Sequence, residues 1–241
     1  MNRLQSELRR LYLLEDIAAD SAAPALIDAQ GRVRAIVVEL ARSVPWEQVA
    51  AFWHRVQDDA GLPPPALAVS GQDGFQLWFS VAVPVPLAQA LDVAQWLRQQ
   101  YGADVVPAQL RTWPTPQQQH AGLVPAVQSA TGYWSAFIVP GLGSMFADEP
   151  WLERAPSPEA QADLLQPLQS ITPAAWSRMV QQCHPAPSTS TAALATPGPA
   201  GVDAYHFLHS VMNDVAVPLP LRMEAAKALL PYSIKPVSSQ P

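Results

Sequence analysis

The chain has 241 residues, of which 49% are hydrophobic and only 14% charged, so it can build a sizeable core and is not globally disordered. Its formal net charge of -6 argues against a protein that lives on non-specific nucleic-acid binding, although a local groove can be positive on an acidic body. Cys183 is the only cysteine, which excludes an intrachain disulfide and a multi-cysteine zinc site.

Leu4, Leu8, Leu11, Leu14 and Ala18 recur at helical spacing and predict an N-terminal amphipathic helix. Apolar runs at 25–28 and 33–40 flank the turn signal Asp28-Ala29-Gln30-Gly31 and predict a β-hairpin, with Ile36, Val37 and Val38 buried. Ser43 is placed to cap a helix that Pro45 enters in its first turn. Val49, Phe52, Trp53 and Val56 form its inner stripe, and Gly61 with Pro63-Pro64-Pro65 ends it. Residues 66–69, the polar turn Gly71-Gln72-Asp73-Gly74 and the alternating run 75–83 predict strand–turn–strand. Phe75, Leu77, Phe79, Val81 and Val83 share one face; Gln76, Trp78, Ser80 and Ala82 share the other. The backbone N–H groups of such a turn can hold a phosphate. Pro84-Val85-Pro86 leads into a helix with Leu87, Leu91, Ala94, Leu97 and Tyr101 on one face, ended by Gly102. Residues 104–106 are predicted as another short strand. Over residues 1–106 the order α-β-β-α-β-β-α-β predicts an α+β fold, with helices packed on a mixed or antiparallel sheet.

Residues 107–156 are aromatic and irregular, with a strand predicted at 133–139. Ser157-Pro158 and Thr172-Pro173 both signal helix starts. Residues 184–201 read as a linker of Pro, Ser, Thr, Ala and Gly. Two helical stretches, 204–213 and 221–230, follow as a helical hairpin too small to bury a core alone. The expected organisation is an α+β domain over 1–155, short helices over 156–183, the linker 184–201 and a helical tail over 202–241. The charged opening residues lack an apolar signal core, and no run reaches the ~20 apolar residues of a membrane helix, so a cytoplasmic protein is expected.

Residues 70–79, Ser-Gly-Gln-Asp-Gly-Phe-Gln-Leu-Trp-Phe, resemble the second signature of the primase–polymerase superfamily, the archaeo-eukaryotic primase fold. That signature reads Ser-Gly-x-x-Gly-x-His followed by an apolar strand, and Gln76 stands at the histidine position. The strand 35–40, the helix 43–60, the strands within 67–83 and the helix 84–101 follow the family's order. Gly61-Leu62-Pro63 looks like bacterial members, and Gly122-Leu123-Val124-Pro125 and Thr131-Gly132-Tyr133-Trp134 are loosely similar to downstream pieces. The likeness covers roughly residues 20–150. It implies nucleotidyl transfer by two divalent metals, held by an Asp-x-Asp pair on the strand before the first helix. On that strand only Glu39 is acidic, and Gln76 cannot carry positive charge. The resemblance therefore implies a catalytically degenerate member that binds nucleic acid or nucleotide without synthesis. The sequence identifies no definite cofactor; Mg or Mn would enter only with residual nucleotidyltransferase activity. The tail, Phe207 to Asp214 and Pro218 to Tyr232, is faintly similar to the C-terminal segment of phage small-terminase-like proteins, which implies a phage or mobile-element setting.

The resemblance makes Glu39 a residual catalytic carboxylate and Ser70, Gly71, Gly74 and Gln76 nucleotide contacts. The bland readings are a solvent-facing carboxylate and an ordinary outward glutamine. Arg32, Arg34, Arg98 and Arg111 are the phosphate candidates, whereas Arg3, Arg9 and Arg10 read as a solvated helix face. Trp78, Trp113 and Trp134 either stack bases or anchor core and loops. Cys183-His184 and the His206/His209 pair read as structural rather than catalytic or metal-binding. Expected partners are single-stranded or primer–template DNA, or a protein partner of the tail, and no membrane. Two other functions fit the residues. One is a protein-interaction scaffold using residues 107–151 and the tail. The other is an active nucleotidyltransferase with ligands displaced to Asp104, Asp148 and Glu149.

Overall fold

A computed structural model describes residues 2–14, 26–72, 74–183, 208, 211–213 and 219–229. The chain divides into a unit of residues 1–188 and a second of residues 189–241. The first unit contains α1 (Arg3–Leu11), β1 (Arg32–Ala41), α2 (Trp46–Asp58), β2 (Ala66–Val69), β3 (Gly74–Pro86), α3 (Leu87–Tyr101), β4 (Leu110–Trp113), β5 (Ala136–Ile138), α4 (Pro158–Leu165) and α5 (Pro173–Cys183). In the second, α6 (Leu219–Leu229) is helical and Arg222 Nε donates to the Met212 carbonyl at 3.0 Å. Most of the predicted helix 204–213 lies outside the described residues. Among the described residues no helix is long and apolar enough to cross a membrane.

The fold is α+β. Five strands form one sheet in the order β4-β1-β3-β2-β5, and every neighbouring pair is antiparallel. The period-2 alternation of β3 gives the sheet two faces, both covered. Phe75, Leu77, Phe79 and Val81 join Ile36, Val38 and Leu40 in one core, against Val49, Phe52 and Val56 of α2, Val93 and Leu97 of α3, and Trp176 and Met179 of α5. Trp78 joins Val37, Ala66, Ala68 and Phe137 in the other, against Leu4, Leu8 and Leu11 of α1 and Ala162 and Leu165 of α4. Each such large side chain contributes about 1.5–3 kcal/mol by leaving water. Because α4 and α5 seal opposite faces, residues 156–183 belong to the same unit as the sheet.

Local chemistry fixes the helix ends. Asn2 and Gln5 form a reciprocal capping box on α1, and Ser157 caps α4. Arg34 closes the other end of α1: its guanidinium donates to the carbonyls of Arg9, Arg10 and Leu13, and its Nε to Val81 O. Arg10 does the same for the chain after α4, donating to the carbonyls of Leu165 and Leu168. Cations at helix C-termini satisfy carbonyls left without intrahelical partners.

Four local expectations change. The first arm of the predicted 25–40 hairpin reduces to one bridge, Ile27 to Val33, because β1 is paired on both sides by β3 and β4 instead. No strand forms at 104–106: a turn and a 3-10 segment at Pro107–Gln109 intervene, and the strand starts at Leu110. Ser43 does not cap α2. The N-cap position is Pro45, and Ser43 Oγ accepts from Gln109 Nε2 at 2.7 Å. Val83 is exposed rather than aligned with Phe75 and Phe79. Val33 pairs Val85 while Ala35 pairs Ser80, so residues 81–84 stand opposite Arg34 alone and the alternation is broken before Val83.

Candidate functional site

The register of the sheet assembles the site. Arg111, Glu39, Gln76, Ala68 and Phe137 are successive cross-strand partners, so they form one row on the face that carries Trp78. The row is apolar where α4 covers it and polar where α4 does not. Gln161 of α4 closes the covered end, its amide bonding both the N–H and the carbonyl of Phe137. At the open end Gln76 Nε2 donates to Glu39 Oε2 at 2.6 Å, and Trp78 Nε1 donates to Gln76 Oε1 at 3.0 Å. This chain orients the Gln76 amide with its nitrogen toward the carboxylate. Arg111 Nη1 lies 3.9 Å from Glu39 Oε1. Glu39 is 7% exposed, whereas the Arg111 side chain is 64% exposed, so the carboxylate is set and the guanidinium can turn to solvent.

Two cavities share this pair. The first, about 170 Å³, is bounded by Glu39, Gln76, Ser70, Arg111, Trp113 and Gln128, with others. The second, about 280 Å³, lies against Glu39, Arg42, Ser43, Gln109 and Arg111. The turn between β2 and β3 forms one wall of the first. Ser70 Oγ accepts from the N–H groups of Gln72 and Gly74, and the Ser70 carbonyl accepts from Gln128 Nε2 at 3.0 Å. Gly71 has φ +80°, and a Cβ there would sit 2.8 Å from the Ser135 nitrogen. A Cβ on Gly74 would collide with the Leu40 carbonyl. Both glycines therefore permit close backbone approach. The turn does not offer a phosphate nest through its described N–H groups. Gly71 N–H donates to Pro150 O, and the N–H groups of Gln72 and Gly74 serve Ser70 Oγ.

Of the residues singled out by sequence, Glu39, Ser70, Gln76 and Arg111 line one cavity, and Gly71 and Gly74 shape its wall. The other three arginines are placed elsewhere. Arg32 pairs with Asp28 at 2.7 Å at the opposite end of β1, Arg34 holds the end of α1, and Arg98 donates to Pro107 O from α3, across the sheet. Trp78 is 1% exposed and packs edge-on against Tyr12 and Phe137, so it stacks no base. Trp113 is half-buried on the cavity wall, and Trp134 is held by bridges to Val127 and Leu152. Burial and the nearby Asp92 push the Cys183 thiol up to about 11, which makes it a poor nucleophile. His184, His206 and His209 lie outside the described residues, as do residues 214–218 and 230–232 of the tail.

Three contributors escaped the sequence reading. Arg42 lines the second cavity, and its Cζ lies 6.0 Å from the Trp151 ring centroid. Trp151 in turn stacks on Tyr133, with centroids 5.0 Å apart and planes 11° from parallel. Gln128 bonds both the turn and the Tyr133 carbonyl, which fixes the stack beside the cavity wall. The clusters of aromatics at 133–151 were visible as composition, but no period marks which of them meet.

The donor set does not fit a divalent-metal pair. Glu39 is the one carboxylate lining either cavity among the described residues, and it faces a guanidinium. Hard cations need several oxygen ligands, with the carboxylates supplying most of the charge. Asp104 is 83% exposed and faces Arg55, while Asp148 and Glu149 line neither cavity. Among the described residues no group of three or more His, Cys, Asp or Glu is placed to hold a metal ion. No protein-family model and no curated protein matches the chain.

Proposed function

We propose that this protein is a catalytically degenerate primase–polymerase-like protein of a phage or mobile element, binding nucleic acid or nucleotide without synthesis. One observation carries the reading. Glu39 and Gln76 stand at the two positions where the resemblance places catalytic groups, and they pair at 2.6 Å across 37 residues of chain. Their contact lies in a polar cavity that also holds Ser70 and Arg111. The same contact argues against synthesis, because Gln76 is neutral and Glu39 is spent on an amide and an arginine. The reading is tested by primer extension with Mg or Mn, alongside fluorescence anisotropy of labelled single-stranded DNA. Binding that weakens with salt, with no extension, is the expected result. Extension that disappears in Glu39→Ala would overturn the loss of catalysis.

A scaffold reading has its own support. Leu142 and Met145, on the 3-10 segment at Pro140–Phe146, are 48% and 74% exposed and belong to the aromatic region. A protein complex that survives nuclease treatment and is lost in Leu142→Ser/Met145→Ser would favour it.

A further inference from the structure

The charges facing the paired cavities are few. Among the described lining residues they are Glu39, Arg111 and Arg42, an excess of one positive charge. The remaining polar side chains are neutral: Ser70, Gln72, Gln76, Gln128 and Ser135 around the first cavity, and Ser43 and Gln109 around the second. A nucleoside triphosphate brings several negative charges and normally a divalent ion to neutralise them, and that ion needs more carboxylates than Glu39, the one among the described lining residues. A phosphodiester brings one negative charge per residue, which the lining balances without metal. Beside Arg42 stands the Trp151–Tyr133 stack, the arrangement that sequence-tolerant single-strand binders use for bases.

Resting on the function proposed above, we propose that the ligand is a single-stranded phosphodiester chain held without metal. Arg111 and Arg42 take its phosphates in the second cavity, and a neighbouring base joins the stack of Trp151 and Tyr133. A metal-bound nucleoside triphosphate is not taken. The ion pair with Glu39 then acts as a resting contact for Arg111: the exposed guanidinium exchanges a distant carboxylate oxygen, at 3.9 Å, for a phosphate oxygen.

The test is anisotropy of a labelled oligothymidylate with the full chain at low salt, once in EDTA and once in Mg, with magnesium-ATP as competitor. The expected result is the same affinity in EDTA and in Mg, and no displacement by magnesium-ATP. Trp151→Ala should weaken binding about tenfold through the lost stacking. Arg42→Glu reverses an exposed charge with little risk to folding and should weaken it further. Binding that requires Mg, or that magnesium-ATP displaces, would overturn this inference and leave the broader binding function standing. Binding unchanged in both variants would overturn the strand path. Binding of neither oligonucleotide nor nucleotide would overturn the function itself, and the inference with it.

Discussion

Replacing Glu39 by glutamine separates a residual metal ligand from an arginine's resting partner, because the two roles predict opposite signs. Glu39→Gln keeps a side-chain oxygen to accept from Gln76 and removes the negative charge 3.9 Å from Arg111. A phosphate oxygen hydrogen-bonded to Arg111 at about 2.8 Å would lie at most about 6.7 Å from the Glu39 carboxylate. At that distance the repulsion is about 0.6 kcal/mol in a water-like medium and about 2.5 kcal/mol at the effective dielectric near a protein surface. The Arg111 side chain is 64% exposed, so a value near the lower half of that range, about 1 kcal/mol, applies. Glu39→Gln is therefore expected to bind single-stranded DNA about fivefold more tightly. The assay is an anisotropy titration of both proteins in EDTA at low and moderate salt, and the gain should shrink at the higher salt. Weaker binding by Glu39→Gln, or a loss restored by Mg, would contradict the resting-contact role and return Glu39 to a metal-ligand role.

Arg34→Ala should cost about 2–4 kcal/mol in a denaturant melt, because it strips the guanidinium from the carbonyls of Arg9, Arg10, Leu13 and Val81. Its DNA affinity should not change. Gly71→Ala should cost about 1–3 kcal/mol, since alanine is strained at φ +80° and its Cβ meets the Ser135 nitrogen. Burial holds His120 below its ordinary pKa, with Nε2 3.1 Å from the Ala35 carbonyl. As the pH falls the unfolded chain takes up that proton before the folded one, so stability is complete above about 6.5 and declines below it. His120→Gln should flatten that decline in melts at pH 7.5 and 5.5, measured as about-neutral and acidic arms of one profile.

The alternation of β3 made the fold class legible, because polar and apolar residues at period two can only belong to a strand covered differently on its two sides. The glycine turn was legible from its residues alone, although the backbone that a Cβ on Gly71 or Gly74 would strike, at Ser135 and Leu40, is brought there only by the fold. What sequence could not convey is register. Arg34 and Arg111 read alike as phosphate candidates, yet one closes a helix end and the other faces Glu39. The shift between Val33 and Ala35 decides which way the start of β1 faces, and Pro84 in the facing stretch marks an irregularity without giving its register. The strand β4 was misplaced because the β-branched pair Val105-Val106 precedes it, while the chain is turned between Gly102 and Pro107. The Trp151–Tyr133 stack joins residues of an aperiodic segment whose contacts are wholly tertiary.

On the proposed function, Arg111 makes a phosphate contact in the cavity beside Glu39. The most direct measurement is the slope of log affinity against log salt for single-stranded DNA, for the parent chain and for Arg111→Ala. Arg111→Ala should bind more weakly, with a slope smaller by about 0.7, the loss of one phosphate contact from a single strand. An unchanged affinity and slope would contradict it and move the binding surface away from this cavity.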